Sequence, residues 1–187
     1  MTGSTKPDTS QTKEEVKDRF ATEYTEVELI CPRCQIQWSP PVARFVNIET
    51  HPMAREGILR KTMHRARCPS CKTYELEIDQ IFDYYDPEEK LVLQFRPAWE
   101  FKAGGGEELY WRRLEELIEK YSEDDIRVDV VFGFDDMIAK HLGGEEAVAA
   151  SQERATQERA EGKAPGSIAV ERAAAARAQK KTEEQTG

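Results

Sequence analysis

CPRC at residues 31–34 returns as CPSC at residues 68–71, and the two tetrapeptides hold all four cysteines of the chain. Two thiols three positions apart reach one ion from a single tight turn: the spacer directs backbone N–H groups at the sulfurs, and its proline presets the turn. Two such turns supply four thiolates, the tetrahedral set of a closed structural site. The spacing therefore predicts one Zn2+ per chain, held by Cys31, Cys34, Cys68 and Cys71. The 33 residues between the pairs exceed the usual ribbon gap of about 15–20. Closing a longer loop is inexpensive, about 0.6 kcal/mol per doubling, but so long a gap must contain structure of its own.

Thiol–disulfide exchange is the rival chemistry. A redox Cys-Pro-x-Cys pair starts at a helix N-terminus, which lowers the thiol pKa. Here QIQWSPP follows Cys34 and KTYELEID follows Cys71, a proline-broken segment and a strand pattern. The residues favour zinc, with a redox pair, a disulfide or four unliganded core thiols as alternatives. Four thiolates leave no position for water, so a catalytic zinc requires a displaced cysteine or the recruitment of His51 or His64. His64 lies four residues before Cys68, and the plainer reading is a solvated or strand-face histidine. Asp124/Asp125 and Asp135/Asp136 flank the last strand, where capping and solvation account for them. Gly104-Gly105-Gly106 lacks the Gly-Lys-Ser/Thr of a phosphate loop and runs straight into acids.

Working outward, TEVELICP alternates, with Val27 and Leu29 on one face, and predicts a strand entering the first pair. Residues 35–48 hold a second extended stretch, interrupted by Pro40-Pro41. His51-Pro52 opens a helix over about 52–60 that offers Met53, Ile58 and Leu59 to a core. TMHRAR alternates into the second pair. TYELEIDQIFDYY and LVLQFRP flank DPEEK, a turn signal that predicts a hairpin. Tyr74, Leu76 and Ile78 fall on its inner face, Glu75, Glu77 and Asp79 on its outer. EELYWRRLEELIEKY carries Tyr110, Leu114, Leu117, Ile118 and Tyr121 as a helical stripe. IRVDVVFG predicts a last strand and FDDMIAKHL a closing helix.

The fold class is thus α+β: a zinc-ribbon-like antiparallel β-sheet with a short helix inserted between two knuckles, then a C-terminal helix–strand–helix segment and a long polar tail. Residues 1–22 read as disordered. Residues 23–142 read as one zinc-binding domain, with a core over 28–100 and an extension over 107–142. Residues 143–187 have no Phe, Trp or Tyr and repeat QERA; they read as a low-complexity, solvated tail, partly helical or disordered.

The net charge is −9, but it is unevenly spread: residues 31–72 carry 8 basic and 2 acidic side chains, residues 73–136 carry 7 and 19. The molecule as a whole repels nucleic acid and anionic membranes. The basic segment offers Arg33, Arg44, Arg55, Arg60, Lys61, Arg65, Arg67 and Lys72 to a polyanion, with Trp38 and Phe45 to stack on bases. Alternatively, the acidic strands neutralise it within the protein. No stretch approaches the ~18 apolar residues of a membrane span. The polar N-terminus is unlike a signal peptide, which predicts a cytoplasmic chain with reduced thiols.

ICPRC, the strand after it, NIETHP, the GIL of the short helix, ARCPSC and IDQIFDYYDPEEKLVL resemble the CpXC domain, a bacterial and archaeal family named for two Cys-Pro-x-Cys motifs. The resemblance covers about 30–100, and RVDVVFGFDDMIAKHL resembles the C-terminal part found with that domain. It implies a prokaryotic protein that binds zinc through Cys31, Cys34, Cys68 and Cys71. The family pattern has glycine after each second cysteine and at the end of the short helix, where this chain has Gln35, Lys72 and Lys61. A side chain in a positive-φ turn costs on the order of 1 kcal/mol, against the roughly 10–16 kcal/mol that structural zinc supplies. Together these readings predict a structural zinc protein without enzymatic activity that recruits a protein partner. Nucleic-acid binding through residues 31–72 and thiol–disulfide oxidoreduction are the alternatives.

Overall fold

The computed structural model describes residues 19–103 and 105–161. Its strands are β1 (Glu23–Glu26), β2 (Leu29–Ile30), β3 (Gln37–Trp38), β4 (Pro41–Asn47), β5 (Arg65–Arg67), β6 (Glu75–Glu77), β7 (Phe82–Asp86), β8 (Leu91–Arg96) and β9 (Arg127–Phe132). Its helices are α1 (Met53–Leu59), α2 (Ala98–Ala103), α3 (Glu107–Lys120), α4 (Phe134–His141) and α5 (Gly144–Ala160).

The turn at Asp86-Pro87 closes as its residue types require. The Asp86 carboxylate accepts from the N–H groups of Glu88 (3.1 Å) and Glu89 (3.2 Å), which fixes the β7–β8 hairpin register, Phe82 opposite Phe95 and Asp86 opposite Leu91. Around this hairpin the five-stranded sheet runs in the order β1-β4-β7-β8-β9. β1–β4 and β7–β8 are antiparallel, whereas β4–β7 and β8–β9 are parallel. The main sheet is therefore mixed, not antiparallel as the sequence suggested. Alternation reports which side chains face a core, but it is silent on the direction of the neighbouring strand. A parallel neighbour demands a crossover. The first crossover carries α1 and the second cysteine pair; the second carries α2 and α3.

Both faces of the sheet are covered. Phe82, Tyr84, Leu91, Leu93 and Phe95 pack with Ile58 and Leu59 of α1 and Met137 and Ile138 of α4. Val92, Val130 and Phe45 pack with Leu117 of α3 and with Tyr121. Burial on two sides explains the unbroken apolar run Leu91-Val92-Leu93 of β8. Cysteine-bearing segments stand apart, in two antiparallel ribbons, β2–β3 and β5–β6.

Several local expectations change. The strand expected through TEVELICP breaks at Val27-Glu28 into β1 and β2, and TYELEIDQIFDYY divides at Ile78–Ile81 between two sheets. AWEFKA forms α2, a helix the periodicity did not reveal. On α3, Tyr110, Leu114 and Leu117 of the expected stripe, with Tyr121 just beyond the helix, pack on the sheet, but Ile118 faces solvent and Leu109, outside the expected stripe, is buried. Residues 19–22 belong to the fold: Phe20 is buried, stacked on Tyr85 (centroids 4.4 Å) and Tyr121 (5.9 Å). The disorder expected for 1–18 and the tail reading for 162–187 lie outside the described residues.

The start of the tail, α5, is helical but not simply solvated. Ser151 is fully buried, donating to Glu56 Oε2 (2.7 Å) and accepting from Arg60 Nε (3.0 Å), while Arg154 reaches Glu56 Oε1 (2.6 Å). Burial pushes the Glu56 carboxyl up, but the bonds from Ser151 and Arg154 and the charges of Arg154 and Arg60 outweigh it and hold it below the ordinary range. Polar side chains carry this contact, so hydrophobic patterning could not announce it.

Candidate metal centre

Each cysteine pair sits on a turn built the same way. Gln35 N–H donates to the Cys31 carbonyl (2.8 Å) and Lys72 N–H to the Cys68 carbonyl (3.1 Å). Cys31 N–H and Cys68 N–H then bond across their ribbons, to Ile36 O and Tyr74 O, each at 2.9 Å. Gln35 and Lys72 take φ of 58° and 55°, and Lys61, ending α1, takes 51°. These are the three positions where the sequence lacks an expected glycine, so the chain keeps the left-handed turns and bears the strain of a Cβ in each. Gln35→Gly and Lys72→Gly should each stabilise the metal-loaded protein by about 0.5–1 kcal/mol. Urea midpoints check this, and lowered midpoints for both variants would contradict it.

The folded chain brings the four sulfurs within 4.8 Å of one another. Two close contacts cross between the turns: Cys31 to Cys71 at 3.8 Å and Cys34 to Cys68 at 3.6 Å. Four sulfurs about 2.3 Å from a zinc ion lie about 3.8 Å apart along each tetrahedral edge. A disulfide requires about 2.05 Å. The donor set and its spacing thus fit a tetrathiolate ion. Cys31 and Cys68 are buried, Cys71 half-buried and Cys34 exposed.

Their environments differ. Burial pushes the Cys31 thiol up to about 11, although the N–H groups of Cys34 and Arg33 point at it. The Thr73 hydroxyl and N–H push Cys71 down to about 6. The Ile36 N–H lowers Cys34, helped by hydrogen bonds from Cys31, Cys68 and Ser70. The two turns also brace each other: Arg33 donates to the Thr73 hydroxyl at 2.7 Å, and Ser70 of the second turn reaches Cys34 of the first. Arg33, Ser70 and Thr73 thus orient the sulfurs, a role the spacing alone gave no sign of.

Other sequence candidates disperse. His64 is buried edge-on against Phe82 (centroids 4.8 Å), neither solvated nor among the clustered thiols. The His51 ring meets the Thr50 hydroxyl at 3.0 Å. Asp124 pairs with Arg19, Asp125 with Lys90, Asp135 with Lys61 and Asp136 with Lys140. Within the basic segment, Arg60 pairs with Glu56, Lys61 with Asp135, Arg65 with Glu77 and Arg67 with Glu75. Phe45 is buried and so offers no ring face to a base, and Trp38 is half-buried opposite Leu29. Arg33, Arg44, Arg55 and Lys72 are exposed and scattered over the first ribbon, β4, α1 and the second turn.

Comparison with protein-family models matches residues 29–141 to the CpXC protein family. Neither the comparison with curated proteins nor that with solved structures returns a match.

Proposed function

Because this chain belongs to the CpXC family, we propose that it is a structural zinc protein whose Cys31, Cys34, Cys68 and Cys71 clamp two short ribbons into one zinc-ribbon-like lobe, and that it serves as a non-enzymatic interaction module for a protein partner in the cytoplasm. The observation that carries this reading is the crossed sulfur spacing, 3.8 Å and 3.6 Å between the two turns. Ribbons of two and three residues do not hold themselves in water, so the lobe needs a crosslink. Zinc would supply charge neutralisation and a rigid tetrahedral joint; the chain supplies the four donors and the N–H groups that orient them.

Thiol–disulfide exchange fits less well, because no helix follows either second cysteine: Cys34 leads into β3 and Cys71 into β6. Nucleic-acid binding through residues 31–72 is also disfavoured. Four of its cations are already paired with carboxylates of the same chain.

The test is elemental analysis on protein purified without chelator, alongside thiol titration before and after chelation. One zinc per chain, with four thiols masked until chelation, is expected. Iron in its place would give a coloured protein of rubredoxin type and overturn the zinc assignment. No metal and a reversible disulfide in each pair would overturn the whole reading.

A further inference from the structure

Six large apolar side chains stand exposed among the described residues, and four of them lie on two consecutive helices: Trp99 (56%) and Phe101 (42%) on α2, Trp111 (53%) and Ile118 (51%) on α3. α2 buries none of its six residues. Trp111 and Ile118 are seven residues apart and share one stripe along α3, on the side away from Leu109 and Leu117. Between α2, α3 and the end of β9 opens a cleft of about 520 Å³, walled by Ala98, Phe101, Tyr110 and Phe132. Trp99 donates to Asp79, whereas the Trp111 ring stands edge-on to Tyr110 of the cleft wall (centroids 5.1 Å), and an exposed tryptophan beside an open apolar cleft is the composition of a protein-binding hot spot.

Charge narrows the occupant. Glu108, Arg112, Glu115 and Glu119, at intervals of four, three and four, form a net acidic row beside the Trp111–Ile118 stripe. Glu107 sits at the cleft mouth. The α3 cation Arg113 is taken by Glu116, Lys120 by Asp83, and Lys140 in the cleft by Asp136. Lys102 and Arg112 are left among more numerous acids. A second copy of the chain would bring this glutamate row against its own equivalent in a two-fold pair.

We propose that the α2–α3 face is the docking site for a basic amphipathic helix of a protein partner, with large apolar side chains entering the cleft and covering Trp111 and Ile118 while its lysines or arginines meet the glutamate row. This rests on and deepens the interaction-module reading and puts the partner on the helical layer of the main sheet.

The probe is a fluorescein-labelled 14-residue Leu/Lys amphipathic helical peptide, with the Leu/Glu peptide of the same pattern as control. Saturable anisotropy change with the zinc-loaded full chain is expected, weakening about tenfold or more in Trp111→Ala or Phe101→Ala and falling as salt screens the glutamates. Both side chains are substantially exposed, so circular dichroism and zinc content should stay at wild-type values. Equal binding of the Leu/Glu peptide, or binding indifferent to both substitutions, would overturn the proposal. So would a stable dimer in sedimentation that Trp111→Glu converts to monomer, since a second copy then covers the face. Failure of the peptide to bind with one zinc still present sinks this site alone, whereas absent zinc sinks the module reading first.

Discussion

Cys31→Ser, Cys34→Ser, Cys68→Ser and Cys71→Ser should each lose the metal and unfold the ribbon lobe, and the four variants should behave alike. The reason is that each sulfur is one corner of the same closed set: all lie within 4.8 Å, two corners from each turn. A zinc ion left with three thiolates takes water as the fourth ligand and binds far more weakly. Structural zinc in small modules contributes roughly 10–16 kcal/mol of apparent binding free energy, which is folding free energy there. The lobe has little to replace it: β2–β3 pairs two residues with two, and β5–β6 three with three. The five-stranded sheet holds its own core on both faces, so the damage should be largest between residues 27 and 78 outside β4 and α1. Metal content and residue-resolved amide exchange provide the check. A single serine variant that retains stoichiometric zinc, or whose ribbon amides exchange as slowly as those of the parent, would sink the claim.

Phe82→Ala should cost about 3–5 kcal/mol, a large share of the roughly 5–15 kcal/mol that holds an ordinary domain. Phe82 is almost wholly buried and stacks on Phe95 (centroids 4.9 Å), which stacks in turn on Phe134 of α4 (4.5 Å). The His64 ring stands edge-on to its other side, and the His64 carbonyl accepts from Ile78 N–H at 2.8 Å. Removing the ring therefore opens a cavity in the main core and loosens the segment that leads into the second cysteine turn. Urea unfolding of the zinc-saturated protein measures the first effect, and zinc release to a competing chelator measures the second. Phe82→Leu, which keeps most of the volume, should recover most of both. A loss below about 1 kcal/mol in Phe82→Ala would mean that the core collapses around the gap far better than such cores do.

Legibility in the sequence followed the range of the interaction. The knuckles are local objects: the two-residue spacer fixes which thiols share a turn, and Gln35 and Lys72 were identifiable as turn positions because the family pattern has glycine after each second cysteine. The β7–β8 hairpin was equally local, since Asp86 caps the two N–H groups after Pro87. α1 began within one residue of the expected start, at Met53, with Pro52 as its N-cap and not its first residue. Phe20 defied its polar neighbourhood because its partners, Phe45, Tyr85 and Tyr121, are 25 to 101 residues away in the chain. Of the α3 stripe, only Ile118 turned out to face solvent, and Leu109 packs in addition, because the edges of a helix stripe are set by the surface it packs on. Ser151 joined the fold through hydrogen bonds to Glu56 and Arg60, for which no hydrophobic period exists.

By itself, then, the sequence marked the four candidate donors and the two turns that carry them, through two repeated motifs, and the family resemblance marked the left-handed residue after each. Only the tertiary structure decided the rest. It set the pairing of sulfurs across the turns, the two parallel strand pairs, and the bracing of Arg33 on Thr73 and of Ser70 on Cys34. It also decided which aromatic side chains of α2 and α3 remain uncovered. Each of these depends on where a distant segment comes to lie, and the free energy that places it is summed over the whole core, not stored in any short stretch of chain.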